Sequence, residues 1–192
     1  MIPIRYNIIY CDPPWEYNTR NNIKTKFAGG AMVHYPIMKT ADLCALSVHS
    51  IAADNCALVL WATFPKLPEA LRVMEAWGFR YATVAFNWFK ISNNGALFFG
   101  VGYYTKSNSE IALLGIKGRM KPVSNFVSQV VISKREAHSK KPDIVRDKIV
   151  ELMGDVPRIE LFAREAAPGW DALGNEIDGK DIRDALREVI NA

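Results

Sequence analysis

Apolar positions along the chain fall into two patterns. Short uninterrupted runs rich in aromatic and β-branched residues predict buried strands, and apolar residues three and four apart predict helices. The first run is Ile8-Ile9-Tyr10-Cys11, which stops at Asp12-Pro13-Pro14-Trp15. The second is Cys56-Ala57-Leu58-Val59-Leu60-Trp61, and four further strand candidates cover residues 81–89, 110–116, 127–133 and 158–164. Between them lie helical stretches. Thr40 is expected as the N-cap of a short helix with Asp42 in its first turn and Leu46 and Ile51 on its apolar side. Residues 66–77 place Leu67, Ala70, Leu71 and Met74 on one face before Gly78. Pro142 at a first helical position opens a helix through Ile144, Val145, Ile149 and Leu152, which Gly154 ends, and residues 180–190 form a terminal amphipathic helix. That helix docks either on the core or on a second subunit. Strands alternating with helices predict an α/β fold with a doubly wound sheet of six strands.

Two stretches break the alternation. Residues 15–38 show no apolar period and mix asparagine, glycine, aromatic and basic residues, which marks a lid or binding loop. Phe98-Phe99-Gly100-Val101-Gly102 spells a glycine-rich cofactor string, but it leads into a strand instead of opening a helix. It therefore reads as a connecting loop and not as a phosphate or cofactor cradle.

The end of the first strand carries the chemistry. Ligands of open α/β sheets bind at the carboxyl ends of strands, and Asp12 is left there by two prolines that cannot continue a ladder. A carboxylate and a proline carbonyl aimed at one point accept hydrogen bonds from an NH2 group, and an indole beside them stacks on a flat ring. The constellation fits the exocyclic amine of a nucleobase, most simply adenine N6. Asn87 and Trp88, near the end of the third strand, are expected on the same cleft.

The chain of 192 residues with 49% hydrophobic residues has the size and core of one domain, 1–192. No apolar run approaches the ~18 residues of a membrane helix, and no targeting segment is evident. Cys11, Cys44 and Cys56 have neither an even count nor C-x-x-C spacing, which points to a reducing cytoplasm. His34, His49 and His138 lack metal-ligand spacing, so no metal is expected. The formal charge is +4, and between residues 117 and 141 seven basic residues (Lys117, Arg119, Lys121, Lys134, Arg135, Lys140, Lys141) face the single acid Glu136. With Arg20, Lys24 and Lys26 they are candidates for one face that binds phosphates, a solvated loop surface being the alternative reading of either group. Neither G-x-x-x-x-G-K-[ST] nor G-x-G-x-x-G after a strand is present, which argues against an NTPase or a nicotinamide oxidoreductase.

The string Asp12-Pro13-Pro14-Trp15 resembles the catalytic motif of the MT-A70 adenine-N6 methyltransferases, which use S-adenosylmethionine (SAM). The match continues in order through His34-Tyr35-Pro36-Ile37-Met38, Leu58-Val59-Leu60-Trp61, residues 110–118, Lys141-Pro142-Asp143, residues 159–164, and Trp170 with Leu173-Gly174-Asn175. The resemblance implies a Rossmann-like SAM-dependent methyltransferase sheet in permuted order, the catalytic half before the SAM half. It assigns catalysis to Asp12, Pro13, Pro14 and Trp15. It assigns the cofactor to Asp12, Lys141 (holding the SAM carboxylate), Glu160, Arg164, Asn175 and Glu176, the last in place of an expected glutamine. Tyr17, His34, Tyr35, Tyr103 and Tyr104 become candidates for substrate contact. Glu160, an acid in an apolar strand, needs a partner, expected from Arg164 or a ligand hydroxyl. The expected reaction is in-line methyl transfer to adenine N6, without metal, on a base flipped out or single-stranded. Small chains of this type resemble bacterial and phage DNA methylases, so DNA is the expected substrate. RNA, a homodimer, and an inert nucleic-acid-binding partner subunit stay open.

Overall fold

The computed structural model describes residues 5–17, 37–100, 102, 104–135 and 140–192. Seven strands form one sheet in the order β5-β3-β4-β2-β1-β6-β7. They are β1 (Tyr6–Cys11), β2 (Ala52–Ala62), β3 (Arg80–Ile91), β4 (Ser109–Lys117), β5 (Val130–Lys134), β6 (Arg158–Leu161) and β7 (Asp171–Leu173). β4 runs antiparallel to β2 and β3, and the other pairs are parallel. The six expected strands are present. β7 was not expected, since three residues on an edge carry too little pattern to announce a strand.

Alternation along the central strands splits the core in two. Ile9 and Cys11 of β1 and Leu58 and Leu60 of β2 face one side, where α1 (Thr40–Cys44), α2 (Leu67–Ala76) and α5 (Ile182–Asn191) supply Leu43, Met74 and Leu186. Ile8, Tyr10, Val59 and Trp61 face the other, covered by Val145, Ile149 and Met153 of α3 (Ile144–Met153). Helices on both faces make the sheet doubly wound. Ile8 and Ile9 are both fully buried, and each contributes roughly 1.5–3 kcal/mol on that account. α5 takes the first of its two expected destinations: Ile182 and Leu186 pack into the core.

Helix boundaries depart from expectation at several points, and α1 ends at Cys44, short of the Leu46 and Ile51 expected on its apolar side. Thr40 is the first residue of α1; extended Lys39 takes the cap position, and no side chain caps the helix. Pro142 lies in a turn ahead of α3, its carbonyl accepting from Val145 N–H at 3.0 Å, and Asp143 is the cap residue. Gly154, at φ 92°, ends α3 as expected. β6 stops at Leu161, three residues short of its expected end, because Phe162 turns into the left-handed region at φ 60°.

Candidate active site

Asp12 leaves the carboxyl end of β1. From β1 the chain passes to β2 on one side, whereas β6, on the other side of β1, leads outward to β7. The order reverses between β1 and β6, and the crevice outside such a switch point is where ligands bind. A strand-end turn fixes the motif. The Pro13 carbonyl accepts from Trp15 N–H at 2.9 Å, and the Pro14 carbonyl accepts from Met38 N–H at 2.8 Å. The Pro13 carbonyl thus keeps one lone pair for a ligand.

A row of alternating charges crosses the cleft. Lys141, from the turn before α3, places Nζ 2.6 Å from Asp12 Oδ2 and 3.3 Å from Glu110 Oε2. Lys90 at the end of β3 pairs with the other oxygen of Glu110. Register brings the pair together: Glu110, the second residue of β4, lies opposite Trp88, two residues before Lys90. The two ammonium groups lie over the rings of Trp61 and Trp88, 5.5 and 4.8 Å from the centroids, so a buried aromatic floor supports the positive charges. Burial pushes the Asp12 carboxyl above its ordinary value against the pull of Lys141. Burial would also raise Glu110, but Lys141 and Lys90 outweigh it and hold that carboxyl low. Burial opposes the Lys141 ammonium, and its two carboxylate partners nevertheless hold its pKa above the ordinary value.

Trp15 does not offer the stacking face expected of it. It is 5% exposed, packed in the core and donating its indole N–H to the Trp61 carbonyl at 3.1 Å. Trp88 is likewise core, 2% exposed, with its N–H on Ser133 Oγ at 2.9 Å. Asn87 is half-buried, and its Oδ1 is buried without a partner. Tyr17 stands at the rim, 43% exposed, sharing a 2.8 Å hydrogen bond with Thr63 just beyond β2. Tyr104 is 93% exposed on the connection between β3 and β4. His34, Tyr35 and Tyr103, with most of the expected lid, lie outside the described residues.

The neighbouring strand ends carry the other candidates. Glu160 on β6 is buried, and its partner is neither Arg164 nor left to a ligand. Arg146 of α3 grips it with two bonds, Nε to Oε2 at 2.6 Å and Nη2 to Oε1 at 3.2 Å. Burial still raises the Glu160 carboxyl despite that guanidinium. Arg164 instead reaches Glu176 at 3.5 Å, and Asn175 is the exposed first residue of α4 (Asn175–Asp178). The two loops touch closely: Ala163 N–H donates to the Leu173 carbonyl at 2.9 Å, and a Cβ on Gly174 would fall 2.1 Å from the Ala163 carbonyl. Lys90, Glu110 and Arg146 were not expected as site residues. A lysine in an aromatic strand and an acid opening an apolar one were the available signals for the first two. Arg146 carried none beyond a polar position on a helix.

The basic stretch does not form one face. β4 runs against its neighbours, so Lys117 and Arg119 lie at the opposite end of the sheet from Asp12, with Lys117 donating to the His49 and Ala52 carbonyls. Lys134 and Arg135, at the end of β5, share the cleft end with Lys141.

A mixed sheet with its acid at the switch point, helices on both faces and a catalytic-half-first order is a Rossmann-like methyltransferase fold. The MT-A70 family model matches residues 6–176, and the chain belongs to the MT-A70 family. It is 36% identical to the Type II methyltransferase M.MunI of a Mycoplasma species, over 93% of this chain and 80% of the relative. It is 26% identical to the human N(6)-adenine-specific methyltransferase METTL4, over 90% of this chain and 37% of that protein. A third relative is the N6-methyladenosine RNA methyltransferase MTA1 of Pyricularia oryzae, 25% identical over 90% of this chain and 47% of its own length.

Proposed function

We propose that the chain transfers the methyl group of SAM to the N6 amine of adenine in DNA. The observation that carries the reading is Asp12 at the switch point, raised by burial and tethered to Lys141. An amine conjugated with a purine ring is a weak nucleophile. Acceptor bonds from the ionised Asp12 carboxylate and the open lone pair of the Pro13 carbonyl would hold its hydrogens and localise the nitrogen lone pair as the N–C bond forms.

The residues present suit SAM. The cleft joins a cation, Lys141, to the ends of β1 and β6, and the chemistry needed of them is capture of a carboxylate and of ribose hydroxyls. Bound there, SAM supplies an electrophilic methyl on a good leaving group. Glu160, fixed by Arg146, and Arg164 with Glu176 and Asn175 are the residues that would hold the nucleoside part. Lys141→Ala is expected to weaken SAM binding by about 1.5–3 kcal/mol, the worth of a charge-assisted bond. Calorimetry showing unchanged affinity would remove Lys141 from that role.

The relative named as a Type II methyltransferase favours DNA, and the one named as an RNA methyltransferase supports RNA as the second reading. The single sheet between two apolar clusters supports one domain over residues 1–192. Cys11, Cys44 and Cys56 are free thiols, which supports a reducing cytoplasm as the compartment. No described helix is long and apolar enough to cross a membrane. Among the described residues no cluster is arranged to hold a metal. The test is nucleoside mass spectrometry after incubation with SAM and matched DNA and RNA oligonucleotides. N6-methyladenine in DNA is expected; methylation of RNA alone, or of cytosine, would overturn the assignment.

A further inference from the structure

We propose that the arm joining β3 to β4 is a single-strand clamp whose aromatic side chains stack on nucleotides flanking the target adenine. The inference rests on the nucleic-acid substrate proposed above. Beyond β3 the chain doubles back twice before β4, bridging Ile91 to Leu97 and Gly100 to Ser107, with Phe98 N–H donating to the Lys90 carbonyl at 2.8 Å. The arm's base is Lys90 and Glu110, and Glu110 pairs in turn with Lys141, the partner of Asp12. Whatever the arm binds therefore lies next to the group bound at Asp12.

Its surface chemistry is that of a stacking platform. Phe99 is 63% exposed and Tyr104 93% exposed, an arrangement the packing of the sheet does not require. Phe98, next to it in the chain, carries the Arg135 guanidinium 4.5 Å above its ring. On the arm and the adjoining end of β5 lie Lys90, Lys106, Lys134 and Arg135, and Glu110, itself in an ion pair, is the one acid among the described residues of those segments. Exposed aromatics for base faces, set among cations with almost no competing acid, match a single strand of alternating bases and phosphates. A protein partner would need acidic complementarity along the arm but would not need flat rings beside the base cleft. Stacking tolerates any base, so the clamp favours unpaired tracts without reading a long sequence.

The test compares the wild-type chain with Phe99→Ala and with Phe99→Ala/Tyr104→Ala. The probe is a fluorescein-labelled single-stranded DNA oligomer of thymidines around one adenine, with 2-aminopurine beside the adenine in a second version. Loss of the rings is expected to weaken oligomer binding by roughly tenfold to a hundredfold and to relieve the quenching of 2-aminopurine, while SAM affinity holds and Phe99→Trp restores both. Unchanged affinity with 2-aminopurine still quenched would overturn the clamp. So would a variant that loses a dimer in sedimentation yet binds the oligomer as before, because the arm would then be an interface between copies. A wild-type chain that binds and quenches but transfers no methyl group would sink the methyltransferase reading and leave the clamp standing.

Discussion

Asp12 sits under two opposed forces, burial that favours its neutral form and a Lys141 ammonium 2.6 Å away that favours its charge. Burial prevails, so its folded pKa lies above the unfolded one. The ionised carboxylate is the form that accepts from an amine, and transfer should fall as pH drops through that raised value. Removing the opposing charge with Lys141→Met raises it further, so the acid limb of the single-turnover rate should move to higher pH. A limb that stays in place would show that the ammonium does not act on Asp12. Stability follows the same signs. Asp12 costs stability progressively as pH rises from its ordinary value to the raised one, whereas Glu110, depressed in the fold, loses its contribution as pH falls through its lowered value. Asp12→Ala should abolish transfer in a folded protein; activity within roughly tenfold of wild type would remove the acid from catalysis, since removing one preorganised hydrogen-bonding group at a reacting centre costs about 10²–10³ in rate, as measured for oxyanion-hole donors.

At the scale of elements, the loops after β6 and β7 depend on each other. Gly174 leaves no room for a side chain against the Ala163 backbone. Gly174→Ala should cost roughly 1–3 kcal/mol, as overpacking does, and weaken SAM binding because it displaces the strand end at Phe162 to Arg164. Denaturation and calorimetry would check both, and a neutral substitution would mean that the loops move independently. The link from α3 to β6 is sharper. Arg146 and Glu160 are both mostly buried, and Arg146→Ala leaves a carboxylate without its partner at a cost of about 3–5 kcal/mol. Adding Glu160→Gln should recover part of that loss in urea denaturation, and no recovery would show that Arg146 acts through packing instead.

For the whole molecule, the reversal of β4 divides the basic stretch between two ends of the sheet. Nucleic-acid affinity should fall steeply with salt, and replacing Lys134 and Arg135 with serine should lower the log–log slope by about one for each phosphate no longer neutralised. Lys117→Ser and Arg119→Ser, at the far end, should leave both affinity and slope unchanged. Equal effects from the two pairs would show that the nucleic acid wraps around the sheet edge.

Period and punctuation decided much of this protein before any fold was known. The strand at Ile8 to Cys11, its stop at Asp12-Pro13-Pro14-Trp15, the helix over α2, the close of α3 at Gly154 and the apolar face of α5 follow from apolar spacing and from prolines and glycines, which act within a few residues. Asp12 and Lys141 could be singled out in the sequence because a strand end and a residue ahead of a helix have fixed places in an α/β sheet, and the fold sets them 2.6 Å apart. Tertiary structure decided the rest, because partners are set by register and direction, and neither is local. The antiparallel turn of β4 carried Glu110 to Lys141 and removed Lys117 from the cleft; α3 packing beside β6 gave Glu160 its arginine; and the hydrogen bond to the Trp61 carbonyl holds the indole of Trp15 in the core. Each joins residues far apart along the chain, and a one-dimensional pattern does not record which neighbours the sheet will choose.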